Sequence, residues 1–255
     1  MLFILSPAKT LDFEHEAPVK NSSQPLFKDE AAMLMEQLKK LSQDELSKLM
    51  NVSNKIAELN TIRHQNWQKS HTQKNAKQSI YAFRGEVYNG LNIEQFDEQD
   101  LEFAQGSLRI LSGLYGILRP LDLIQPYRLE MGTKLTNTNG KNLYEFWSDQ
   151  LAKTLNKQGK ENGTDTLVNL ASNEYYKAVK KDALKLNVIT PVFKELKDDN
   201  YKVIAIYAKK ARGLMSAYII RNRITHAEDL KNFSEAGYMY AENLSSSKEM
   251  VFTRG

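Results

Sequence analysis

The sequence predicts a mixed α+β fold: one interleaved unit with a helical N-terminal half and a strand-rich C-terminal third. Three observations lead there. Apolar residues recur at helical spacing through much of residues 27–157. Runs rich in β-branched and aromatic residues crowd the C-terminal third, and another apolar run sits at the extreme N-terminus. No repeat, low-complexity tract or linker divides the halves. The N-terminal strand is therefore expected to pair with C-terminal ones, within one domain over residues 1–255.

Taken in order, Leu2–Leu5 reads as a short buried strand, with Ser6-Pro7-Ala8-Lys9-Thr10 as the loop at its carboxyl end. Residues 14–25, which include Pro18, Asn21 and Pro25, read as loop. Phe27, Ala31, Leu34, Leu38 and Leu41 form one helical stripe. Ser42-Gln43-Asp44-Glu45 has capping-box spacing and opens a second helix; a third starts near Asn54 and carries Ile56, Leu59 and Ile62. Thr72 is expected to cap a fourth that ends near Phe83, and residues 84–97, with Gly85 and Gly90, look irregular. Leu101, Ala104, Leu108 and Leu111 mark another helix. In 111–132, Gly113, Gly116, Pro120 and Pro126 forbid a long helix, so this apolar stretch reads as a buried, folded-back connection. Leu143, Trp147, Leu151 and Leu155 predict a helix over 142–157.

Thr166–Leu170 reads as a buried strand. Val188–Leu196 and Tyr201–Ala208 flank a polar turn and predict a hairpin. A helix follows from about residue 212 with Leu214, Met215, Tyr218 and Ile219. Thr225 to Glu228 repeats the capping-box spacing, and Tyr238–Ala241 with Met250–Thr253 predicts a final hairpin.

Composition bounds the function. With 41% hydrophobic and 26% charged residues the chain is globular. A net charge of +4 is mild, so only clustering of cations is informative. The absence of cysteine removes disulfides, thiolate catalysis and cysteine metal sites, and fits a reducing cytoplasm. His15, His64, His71 and His226 lack the spacing of a shared metal site, and neither metal nor cofactor is expected. There is no Walker A motif, no GxGxxG after a strand and no GxSxG elbow. MLFIL lacks a basic flank, and no stretch approaches the ~20 apolar residues of a membrane span. The expectation is a soluble, cytoplasmic protein with no membrane partner; a monomer is slightly favoured.

Three predicted strand ends share polar chemistry. The first leads into Ser6 and Lys9, the second into Ser172-Asn173-Glu174-Tyr175, the third into Lys209, Lys210 and Arg212. Ligands gather outside the carboxyl ends of strands in sheets flanked by helices, and these groups suit a phosphate or another anion. Cations at a helix start are mildly unfavourable, which an anion would reverse. Gly213 would let a ligand approach the backbone or help the helix begin. Arg221 and Arg223, at the other end of that helix, read as structural. Arg128 with Glu130, and Arg84 with Glu86, are charged pairs inside apolar loops, as struts or cleft lining. Glu130 or Glu174 would be the first candidates for a general base, and Lys9 for a cationic clamp. LMNVSNKIA, residues 49–57, fits a helix-hairpin-helix-like element within 44–60, with Lys55 placed for phosphates and Asn51 and Ser53 in place of the turn glycines.

The words SPAKT, LSGLYGILRPLDLIQPYRLEMG, NLASNEYYK and YAKKARGLMS resemble those of the bacterial peroxide-stress resistance protein YaaA family, across essentially the whole chain. The resemblance implies a family-specific fold of mixed α and β with a basic cleft and a helix-hairpin-helix element. It also implies DNA binding in the cytoplasm and protection from peroxide by limiting free iron. Asn173 stands where an acidic residue is expected. Two readings follow. The first is a non-enzymatic protein that grips duplex DNA through phosphates without strong sequence preference. Its contacts would be Ser6, Lys9, Lys55, Arg128, Ser172, Lys209, Lys210 and Arg212. The alternative is an enzyme acting on a nucleotide or another phosphorylated small molecule at the three strand-end loops.

Overall fold

The computed structural model describes residues 1–255. Its class is α+β, as expected, built on a mixed eight-stranded sheet. Strands β1 (Leu2–Leu5) and β2 (Thr10–Leu11) precede helices α1 (Lys28–Lys39), α2 (Gln43–Met50) and α3 (Asn54–Asn66). Short elements follow: β3 (Lys77–Gln78), α4 (Ser79–Ala82), β4 (Phe83–Arg84) and α5 (Glu86–Leu91), then the longer α6 (Glu98–Ser107). The middle of the chain supplies β5 (Leu108–Ser112), β6 (Gly116–Leu118), β7 (Leu123–Ile124), α7 (Leu143–Trp147) and α8 (Gln150–Glu161). The last third holds β8 (Thr166–Leu170), α9 (Asn173–Tyr176), β9 (Asn187–Lys197), β10 (Asn200–Lys202), α10 (Ala205–Arg221), β11 (Met239–Tyr240) and β12 (Glu249–Arg254).

The sheet runs β11-β12-β9-β8-β1-β5-β6, with β10 added to β9. Its five central strands, β12, β9, β8, β1 and β5, are parallel neighbours. Counted along the chain their order is 2-1-3-4-5. The chain leaves β1 for β5 on one side, then returns to β8 on the other. The strand order therefore reverses between β1 and β8, and their carboxyl ends, at Leu5 and Leu170, lie in register. All four residues of β1 are fully buried, which explains its unbroken apolar run. One core of 59 buried residues reaches from Met1 to Phe252.

Several elements stand where the sequence puts them. Ser42 caps α2 through a complete capping box with Glu45. Residues 111–132 are a buried folded-back connection, in which Gly116 turns the chain at φ +66° against Trp147. The final hairpin is β11–β12. Trp67 and Trp147 are buried, with their ring N–H groups donating to the Tyr115 hydroxyl and the Gly113 carbonyl.

Other expectations are corrected. Thr72 opens a turn rather than a long helix, and residues 86–91 are helical rather than irregular. The stripe through Leu101 and Ala104 ends at Ser107, and Leu108 and Leu111 belong to β5. Ser148, at φ 46°, divides the helix expected over 142–157 into α7 and α8. The stretch from Thr225 to Glu228 carries no side-chain cap. The largest change lies at the predicted hairpin: β10 ends at Lys202 and α10 begins at Ala205. Lys209, Lys210 and Arg212 thus lie a full turn or more inside a helix, beyond the first-turn partial charge. The conflict inferred for a helix start does not arise there.

Candidate functional site

Ser6 follows directly on β1 and Ser172 comes one residue after the end of β8, at the point where the strand order reverses, where open parallel sheets bind ligands. The Ser172 backbone N–H donates to Ser6 Oγ at 2.8 Å, and the Ser6 hydroxyl reaches Ser172 Oγ at 3.3 Å. Together the two serines floor a cavity of about 440 Å³. Hollows of about 580 and 650 Å³ lie elsewhere on the surface, but neither touches the carboxyl edge of the parallel strands.

One wall comes from α10, which presents Lys209 and Arg212 to the cavity. Their placement depends on a close helix crossing. A Cβ on Gly213 would lie 1.9 Å from the Val87 carbonyl oxygen, and one on Gly90 would lie 2.2 Å from that of Lys210. Gly213 therefore serves neither a ligand nor the helix start; it lets α10 sit backbone-to-backbone on α5. The Arg212 guanidinium is partly buried and engages no carboxylate or other protein acceptor, and burial lowers its pKa. Tyr88, on α5, donates its hydroxyl to the Ser6 carbonyl at 3.2 Å, and burial pushes that phenol's pKa well up.

The opposite chemistry comes from 128–132 and α9. Glu130 receives Lys9 at 2.6 Å on one carboxylate oxygen and Arg128 at 2.9 Å on the other. Glu174 accepts the Gly132 backbone N–H at 2.9 Å through one oxygen, and its second oxygen has no protein partner. Beside it the Tyr175 phenol is held protonated, by burial first and by the nearby Tyr127, Glu174 and Glu130 after it. The Ser6 hydroxyl is engaged by Ser172 and makes no hydrogen bond to a side-chain base.

The structure thus gathers Ser6, Lys9, Ser172, Lys209, Arg212, Glu130 and Glu174 around one hollow. Arg128 stands behind Glu130 rather than on the lining. Lys210 is exposed and does not line the cavity, and Lys55 lies exposed near the start of α3. Between α2 and α3 only Asn51 takes a positive φ, of 50°; Ser53 is an ordinary N-cap residue and needs no glycine. Arg84 is both strut and lining, paired with Asp12 at 3.0 Å. Arg223 is a strut as expected, bound to Asp100 at 3.1 Å. No group of three His, Asp or Glu side chains is placed to hold a metal ion, and no helix is long and apolar enough to cross a membrane. Tyr88 gives no signal in the sequence; Tyr175 stands in the second strand-end loop, where its neighbours Ser172 and Glu174 carry the visible chemistry.

Comparison with known proteins covers the whole chain. A family model described as "Peroxide stress protein YaaA" matches residues 1–244. A UPF0246 protein of Saccharophagus degradans is 52% identical over 254 residues, spanning 100% of this chain and 99% of its own. UPF0246 proteins of Aliivibrio fischeri and Cellvibrio japonicus are 50% and 52% identical, each spanning 100% of this chain and 98% of their own. With the match running from the first strand to the last third, this chain belongs to the peroxide stress protein YaaA family.

Proposed function

We propose that this protein serves the peroxide response in the cytoplasm by binding nucleic acid through its phosphates, with one phosphate seated in the cavity between β1 and β8. The observation that carries the reading is Arg212: a partly buried guanidinium with no protein anion, facing two serine hydroxyls at the strand-order reversal. Burying an unpaired cation costs stability, and an incoming anion relieves that cost. Lys209 adds a second unpaired charge, and the exposed Lys55 and Lys210 are placed for contacts outside the cavity. The basic residues touch phosphate rather than base edges, so sequence preference is weak.

Titration with duplex and single strand across a salt series tests this. Each phosphate neutralised by the protein contributes about −0.9 to the slope of log K against log salt on duplex. The Lys209→Ala/Arg212→Ala variant, which empties the seat of one phosphate, should therefore weaken binding and flatten the slope by about 0.9. An unchanged slope and affinity in a folded variant would remove these residues from the interface.

The second reading, an enzyme acting on a nucleotide or another phosphorylated small molecule, draws on the cavity's volume and its two carboxylates. It stands second because Glu130 is held between two cations and the Ser6 hydroxyl makes no hydrogen bond to a side-chain base. Release of inorganic phosphate or a changed nucleotide after incubation with the protein would put it first.

A further inference from the structure

We infer that the cavity between β1 and β8 receives one whole nucleotide unit, phosphate and base together, rather than a phosphate alone. This rests on the reading of Arg212 as an anion seat.

Two independent features carry it. The first is size. At about 440 Å³ the cavity falls in the range of small-molecule sites, roughly 300–1,000 Å³. A duplex cannot enter it; a strand can reach its floor only by sending in a single extruded nucleotide. The second is the lining. A groove that only tracks phosphates gains from cations and loses from every carboxylate beside them. Yet Glu130 and Glu174 share this cavity with Lys209 and Arg212. Glu130 is neutralised by Lys9 and Arg128. Glu174 is not: one oxygen is pinned by the Gly132 N–H, which fixes the carboxylate, and the other stays open as an acceptor. A fixed acceptor at one wall and an unpaired guanidinium at the other suit a ligand with an anion at one end and N–H donors at the other. A nucleotide is such a ligand. Its phosphate meets Arg212 and Lys209 over the serine floor, and a ring or exocyclic N–H of its base meets Glu174. Tyr88 and Tyr175 also line the cavity.

The same chemistry can arrive as an extruded residue of a strand or as a free mononucleotide, and the test separates them. Calorimetric titration of the full chain would use four deoxynucleoside 5′-monophosphates, the matching nucleosides and inorganic phosphate. In parallel, a duplex carrying one 2-aminopurine opposite a mismatch would report extrusion by its fluorescence rise. The inference expects at least one monophosphate to bind about tenfold or more tighter than phosphate or its nucleoside. It expects Arg212→Gln to weaken all monophosphates. Glu174→Gln keeps an oxygen for Gly132 yet should alter the ranking among bases, with near-ultraviolet circular dichroism confirming the fold of both variants. A fluorescence rise on the duplex assigns the strand as source; monophosphate binding without that rise assigns the free nucleotide. Duplex binding with neither monophosphate affinity nor a fluorescence rise overturns the inference and leaves the nucleic-acid reading intact. Loss of duplex and monophosphate binding alike overturns both.

Discussion

Several side chains carry polar groups out of water without protein partners, and two of them bear on binding and on pH dependence. Arg212 is one, and its isolation should cost the free protein stability. Arg212→Met, similar in length and uncharged, is expected to raise unfolding stability by about 1 kcal/mol while removing anion binding. Urea melts and nucleic-acid titration on one preparation check both halves; a destabilised variant would make Arg212 a structural strut. His64 is the other. It is 1% exposed and neither ring nitrogen makes a well-formed hydrogen bond; burial, with Arg63 and Lys39 nearby, lowers its pKa from 6.5 to about 4 against an opposing pull from the Arg128 backbone. Because the folded value lies below the unfolded one, only the unfolded chain takes up this proton between those limits. Stability should therefore fall as pH drops from 6.5 toward 4, by about 1 kcal/mol per pH unit. In His64→Leu that part of the pH dependence should vanish. Equal pH profiles for the two proteins, measured by urea midpoints at pH 5 and 7.5, would show that His64 does not set it.

The crossing of α5 and α10 holds the Arg212 wall in place. Gly213→Ala would set a methyl 1.9 Å from the Val87 carbonyl, against backbone that cannot step aside. Destabilisation of about 2–3 kcal/mol is expected, with weakened anion binding because the helix carrying Arg212 must shift. An unchanged urea midpoint would contradict the crossing. The same pair of elements shows where the sequence was silent. In YKVIAIYA the branched and aromatic residues look like strand, yet Val203, Ile206 and Tyr207 are exposed. The helix is instead written in its inward face: Ala208, Ala211 and Met215 are buried at helical spacing, and Gly213 permits the crossing. Leu108 misleads in the opposite way: its spacing from Leu101 and Ala104 continues the helical period past Gly106, the one residue that marks the boundary, into β5. β1 and β8 were legible because central parallel strands are apolar throughout. Ser6 and Ser172 were legible as the polar residues that end them. Lys209 and Arg212 were found through their charge, though their helical setting was missed.

At the scale of the molecule, the site exists because the first strand of the chain lies mid-sheet. β1 pairs with β5 and with β8, which bring residues 108–110 and 167–170 to its two sides. The helical N-terminal half and the strand-rich C-terminal third therefore share one sheet, and the core of 59 buried residues draws on both. We propose on this ground that the chain unfolds as one cooperative unit. The prediction is not trivial at 255 residues, since chains of about 250–300 residues begin to divide into separate cores. Two probes see different parts of the molecule. Trp67 and Trp147 are the only tryptophans, and both pack around the 113–116 turn, so fluorescence reports that region. Far-ultraviolet circular dichroism reports every element, including β9, α10 and β12. A single unit requires the two urea transitions to coincide in midpoint and slope. If the C-terminal third were a separable domain, circular dichroism would show a second step that fluorescence lacks. The reversal between β1 and β8 would then be a joint between two domains rather than the middle of one, and a ligand bridging Ser6 and Ser172 would be expected to merge the two transitions.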